Sequence, residues 1–246
     1  MAVDQSPPPV YTVSERYGPR VHRSVRHGAI LLLVGALQFI GAMVLTQIGY
    51  GSSYSLTGNY ISDLGAVNCG VFGGAGSFAG HYACSPWHDV FNVSIVVMGL
   101  FVILAAILIR TAFPARRSRM VGLWLLALAG VGSIGVGLSP EDYYLPGHVV
   151  SALLAFVGGG LALFVLGFAM FRDTRWEGFR AYTVLSGLIV LVALLLFVSN
   201  ADLGLGVGGM ERLIVAPVLL WSIVAGTHLA RIPTFAPRAF SKGSTE

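Results

Sequence analysis

Nine ionisable residues stand apart from the rest of this chain by where they fall. Asp63, Asp89, Glu141, Asp142, Asp202 and Glu211, with His81, His88 and His148, lie in or beside the polar gaps that follow the first, third and fifth apolar runs. No comparable set lies in the other gaps. Carboxylates and imidazoles in one place can bind a divalent metal or move protons, and an arginine beside them can hold an anion. His88, Asp89 and Asn92 open the second apolar run, and positions 88 and 92, four apart, share one helical face. His148 opens the fourth run with Ser151 one turn deeper, and Glu211 and Arg212 open the sixth.

Three kinds of chemistry suit these residue types. In the first, His88, His148 and one or two carboxylates from Asp63, Asp89 and Glu211 bind a divalent metal such as zinc, leaving a position open for water. The spacing matches no recognised metal motif. In the second, Arg212 and the histidines hold an anionic headgroup, phosphate or carboxylate, while Asp63 and Glu211 orient the guanidinium. In the third, Asp63, Glu211 and Arg212 are an ion-pair and capping network that fixes loops against helices. Ser62 is next to Asp63, too close in sequence for the two to face each other in a Ser–His–Asp triad, although His88 or His148 could serve Ser62 as a base from another span.

The elements that must position these residues are set by composition. The chain is 55% hydrophobic and 11% charged, with a mean hydropathy of +0.78, far from the roughly 25% charged content of a soluble domain. Six apolar runs, at 28–49, 90–110, 120–138, 148–171, 181–199 and 212–230, each approach the ~20 residues needed to cross a bilayer as a helix. Two-residue alternation is absent, which excludes a barrel. The expected fold is all-α, an integral membrane bundle of six transmembrane helices. Glycines in the third and fourth runs (Gly130, Gly132, Gly135 and Gly137; Gly158, Gly159 and Gly160) suit close helix contact in lipid. Pro217 is expected to kink the sixth span, and Trp87, Trp124, Trp176 and Trp221 to lie mostly near span ends, as in aromatic belts.

Every Lys and Arg except Arg212 flanks the same set of span ends, which places both termini in the cytoplasm of a plasma-membrane protein. The net charge of +4 is thus a topology signal and a contact to membrane lipids, with no call for nucleic acid. Residues 1–27 form an N-terminal tail, 28–230 the membrane domain and 231–246 a C-terminal tail. The long outer loop, 50–89, holds Cys69 and Cys84, and an oxidising compartment favours a disulfide between them. Closing a loop of about 15 residues stabilises by on the order of 3 kcal/mol.

The segments YSLTGNYISDLGA, HDVFNVSIVVMGL, GLSPEDYYLPGHVVSALLAF and GGMERLIVAPVLLW, in this order and placement, resemble the prokaryotic membrane family catalogued as domain of unknown function 998, over about residues 28–230. A looser similarity connects the chain to eukaryotic six-span proteins of the DRAM and GPI-lipid-remodelling type. The family pattern falls on Asn59, Ser62, Asp63, Leu64, Gly65, Pro140, His148, Glu211 and Arg212, and the distant relatives imply lipid handling. The expectation is a polar outer-leaflet pocket that binds or processes a lipid or lipid-linked anionic headgroup, the alternatives being a non-enzymatic membrane scaffold or sensor with structural outer polar residues and a metal-dependent membrane hydrolase or small-molecule transporter. Arg212, Glu211, Asn59 and Ser62 would contact the headgroup, Asp63 would pair with Arg212, and His88, His148 and Asp63 would carry proton transfer.

Overall fold

The computed structural model describes residues 19–51, 53–72, 81–114, 116–171 and 176–231. The sequence expectations for both tails beyond these bounds, for residues 73–80 of the long loop and for Arg172 and Arg175 lie outside the described residues. Six long helices dominate: α1 Pro19–Ile48, α2 His88–Leu108, α3 Arg117–Leu138, α4 Leu145–Ala169, α5 Glu177–Val198 and α6 Gly206–Ala230. All six are long and apolar enough to cross a membrane. A 3-10 turn at Ser62–Gly65 and a small antiparallel hairpin, β1 Gly70–Phe72 with β2 His81–Ala83, fill the connection between α1 and α2.

Each helix packs on the next in sequence, and α6 closes back on α1, so the six form a ring. Lipid-facing positions such as Leu37, Val93 and Leu195 are exposed, whereas Leu32, Leu126, Leu163 and Ile214 face inward and are fully buried. Between helices the backbones come close. A Cβ placed on Gly99 of α2 would stand 2.5 Å from the Gly130 carbonyl of α3, and one on Gly130 would stand 2.7 Å from the Gly99 carbonyl. In lipid, where apolar surface is not a driving force, such close approach is what holds helices together.

Two boundaries differ most from the hydropathy reading. Helix α1 begins ahead of its apolar run, because the turns carrying Arg23 and Arg26 are helical without being apolar. Helix α6 begins at Gly206, after a turn with positive φ at Asn200, Leu203, Gly204 and Gly206; GVGG is helical here but too weakly apolar to register. Glu211 and Arg212 therefore sit in the second turn of α6 and do not open it. Trp221 is also displaced from its expected place in a belt: it is fully buried and donates Nε1 to Thr183 Oγ1 at 3.0 Å. Trp176 is buried as well, so only Trp87 and Trp124 are exposed.

The five connections between successive helices alternate between two ends of the ring. One end carries Arg110, Arg116, Arg117, Arg119, Arg180 and Arg231 at or beside the helix termini. The opposite end carries the hairpin, the 3-10 turn and all six of the acids singled out above. The acidic end is where the site is built.

Candidate functional site

The segment following α1 is laid across the start of α6 by its own polar atoms. The Gly208 N–H donates to Thr57 O at 2.9 Å. Arg212 donates Nη1 to the carbonyls of Leu56 (2.9 Å), Asn59 (3.1 Å) and Gly208 (2.8 Å), and Nη2 to the Tyr54 hydroxyl at 2.6 Å. Its guanidinium also stands over the Tyr54 ring, 5.5 Å from the centroid. A planar fork of donors is well suited to gathering several carbonyls. The neighbouring Glu211 is buried and accepts the Ile61 N–H.

Asp63, in the first turn of the 3-10 element, has no exposed surface. Its Oδ2 accepts from Asn59 Nδ2 at 2.7 Å and from the Tyr60 N–H at 3.1 Å, and its Oδ1 lies 2.7 Å from His81 Nε2. The expected Asp63–Arg212 pair is not made: among the described residues, the ion pairs are His81–Asp63 and His88–Asp89. Arg212 is saturated by loop carbonyls nearer to it, and Asp63 is turned towards the hairpin. Asn59 links the two halves, accepting the Ser55 N–H on Oδ1 at 3.0 Å while donating to Asp63.

The rest of the turn is gripped from three sides. Ser62 donates Oγ to Glu141 Oε2 at 2.7 Å, Ser85 donates Oγ to Leu64 O at 2.7 Å, and Asn92 on α2 donates Nδ2 to Gly65 O at 2.9 Å. Gly65 has to be glycine, since a Cβ there would stand 2.5 Å from Asn92 Oδ1 and 3.0 Å from the Phe91 ring. Asp142 holds the chain just beyond, accepting from Val67 N (3.0 Å), Asn68 N (2.8 Å) and Asn68 Nδ2 (2.9 Å). Burial, and the Asp63 carboxylate beside it, raise the pKa of the Glu141 carboxyl well above the usual range.

The cysteines stand at the two ends of the hairpin, with Cα atoms 4.2 Å apart and sulfurs at bonding distance. They bracket β1 and β2 and so bring His81, which pairs with Phe72 in the hairpin register, back to Asp63. Replacing both by Ser is expected to release the hairpin at a cost of about 3 kcal/mol. This would be read as faster limited proteolysis between Ala66 and Ala83, with the helical circular dichroism unchanged. Equal proteolysis rates would show that the hairpin stands without the bridge.

Beneath the turn, the interior of the ring contains a cavity of about 90 Å³, room for several waters or a stretch of alkyl chain. Its walls are apolar, including Phe39, Phe91, Met98, Leu126 and Phe156, and Ser62, His148 and Glu211 reach it. His148 is buried, and its Nδ1 faces the Ser139 carbonyl at 2.9 Å. A neutral ring held in this way carries its hydrogen on Nδ1 and leaves Nε2 as an acceptor.

The expected residues thus divide. Ser62, His148 and Glu211 meet at the cavity, and Asn59 and Asp63 form the turn above it. Arg212 clamps the loop. His88 is elsewhere, with Nδ1 on the Ser85 carbonyl at 2.9 Å and Nε2 3.5 Å from the exposed Asp89. The metal set built on His88 and His148 is therefore not assembled. His81 and Glu141 take that place: with Asp63 they put one donor atom each within 4.8 Å of the others. The pair of cysteines just outside a hairpin was the sequence signal that could have pointed to His81. For Glu141 rather than Asp142 there was none.

A closed ring of six membrane-crossing helices with a polar chamber at one end defines an integral membrane protein of the multi-pass type. The chain belongs to the family described as "Protein of unknown function (DUF998)", which matches residues 33–228. Compared with the curated proteins and with the solved structures, it has no match.

Proposed function

We propose that the protein binds a lipid or lipid-linked molecule, with the apolar portion in the cavity and the polar end beneath Ser62, His148 and Glu211. The observation that carries this reading is the cavity itself: apolar walls inside a membrane-crossing ring, with a few polar groups gathered at one end, the usual composition of a small-molecule site. The polar end bears a carboxyl, a hydroxyl and an imidazole, and Arg212 is committed to the loop. The preferred headgroup is therefore one that donates hydrogen bonds, a hydroxyl or an amine, in place of the anionic group that Arg212 first suggested.

In the same proposal the acidic end faces the outside of the plasma membrane and the termini are cytoplasmic. Basic residues gathered at the other end support this orientation, as does a cysteine pair suited to an oxidising compartment. The three-part division into a tail, a membrane domain and a second tail belongs to the same reading.

The test is native mass spectrometry of the protein released from nanodiscs. One retained lipid is expected per wild-type chain, and Ala152→Phe, which fills the cavity, should lose it, as should His148→Gln to a smaller degree. Retention of the same lipid by Ala152→Phe would overturn the proposal. A second reading, a membrane scaffold with structural polar residues, is favoured by the commitment of Arg212 to backbone carbonyls. It predicts no retained lipid in the wild type.

A further inference from the structure

We infer that Asp63, His81 and Glu141 form a binding site for one divalent ion of the zinc class, directly above the cavity. Three separate segments converge there: the 3-10 turn after α1, strand β2 and the loop between α3 and α4. Each carboxylate has one oxygen held from behind. Asp63 Oδ2 is taken by Asn59 and the Tyr60 N–H, and Glu141 Oε2 by Ser62 Oγ. That leaves Asp63 Oδ1 against His81 Nε2, and Glu141 Oε1 shut off from solvent without a hydrogen-bond partner among the described residues. A closed-off oxygen beside a second carboxyl group needs a proton or a cation between them, and one divalent ion would serve both carboxyl groups and the imidazole.

Geometry and charge favour a small transition-metal ion. Zn–N and Zn–O bonds of about 2.0–2.2 Å in a tetrahedron put neighbouring ligand atoms roughly 3.3 Å apart. The His81–Asp63 contact, 2.7 Å, has to open by about half an ångström, and the widest separation, within 4.8 Å, has to narrow. Side-chain torsions can supply both movements. Two carboxyl groups and one imidazole are a mixed oxygen and nitrogen donor set that suits a doubly charged ion. Calcium and magnesium prefer six or more oxygen ligands and no imidazole. The donors behind each carboxylate are the kind of outer partners that fix ligand orientation at metal centres. With three protein ligands a fourth position stays open, for water or for an oxygen donor entering past Ser62, which also lines the cavity.

The experiment uses the full chain without a histidine tag, in nanodiscs, stripped with a chelator and titrated with Zn²⁺. Metal content is measured by mass spectrometry and affinity by calorimetry. One equivalent is expected, accompanied by a rise in Tm. His81→Gln and Glu141→Gln should each weaken binding by more than about tenfold, because losing a ligand costs more than the 10–100-fold typical of losing a ligand's partner. His27→Gln, at the other end of the ring, should bind as the wild type does. Failure of the wild type to take up one equivalent overturns the inference, as does wild-type affinity in His81→Gln. If the variants do not fold, Co²⁺ in the wild-type protein decides: the visible spectrum of a four-coordinate nitrogen–oxygen site supports the inference, and a six-coordinate aqueous spectrum ends it. None of these readouts depends on whether a lipid is retained, so this site and the cavity proposal stand or fall separately.

Discussion

Asp63→Ala is expected to lower stability by about 3–5 kcal/mol, because it leaves several buried donors unsatisfied at about 1–3 kcal/mol each. Asp63 is fully buried, and its two oxygens take hydrogen bonds from Asn59 Nδ2 and the Tyr60 N–H and pair with His81. Truncation takes the acceptor away from three polar groups, one of them a backbone N–H. Asp63→Asn keeps the volume and an acceptor, but places an amide where two donors and the imidazole converge, so an intermediate loss of about 1–3 kcal/mol is expected. Thermal unfolding in nanodiscs, with limited proteolysis of the 53–72 segment, measures both. An alanine variant within about 0.5 kcal/mol of the wild type, the range of an ordinary surface substitution, would mean that the turn is held without its carboxylate.

The contrast between Asp63 and Arg212 shows what was legible in the sequence. Hydropathy averaged over about 20 residues finds six spans because crossing a bilayer is a long, repetitive demand, and all six helices lie where the apolar runs are. The same averaging misses the start of α6, where four small residues form a helical turn without hydrophobic weight. It likewise places the acids, His148 and Arg212 at one end of the ring, but end is not neighbourhood. Nothing in the sequence beyond their shared end pairs Arg212 with Asp63, and the structure gives Arg212 the carbonyls of Leu56, Asn59 and Gly208, which every sequence possesses and none advertises. His81 and Glu141 escaped for a related reason. Their meeting with Asp63 depends on how an irregular segment folds back through a hairpin, and no periodicity records such a path. The SDLG element falls within the family pattern, whereas its reason, a turn gripped by Glu141, Ser85 and Asn92, is a matter of three dimensions.

Gly208→Ala is the second large effect expected, and it reaches the chamber without touching any ionisable group. A Cβ at this position would collide with the Asn59 carbonyl, stand 2.7 Å from the Leu56 carbonyl and 2.9 Å from Arg212 Nη1. Two of these obstacles are backbone, so the loop has to lift. Lifting it breaks the Gly208–Thr57 hydrogen bond and the Arg212 clamp together, and it draws Ile61 from Glu211, leaving a buried carboxylate unpaired. One methyl group is therefore expected to cost about 3 kcal/mol or more, at the upper end for overpacking. Gly41→Ala, on α1 with nothing within 4 Å of the new atom, should be neutral or more stable by up to about 1 kcal/mol, since alanine is the better helix former. Melting temperatures of the two variants, compared in the same nanodiscs, make the measurement. If Gly208→Ala melts with the wild type, the loop is not seated on α6 through its backbone. The chamber would then need another roof, because Ile61 and Ser62 reach the cavity only while that loop is in place.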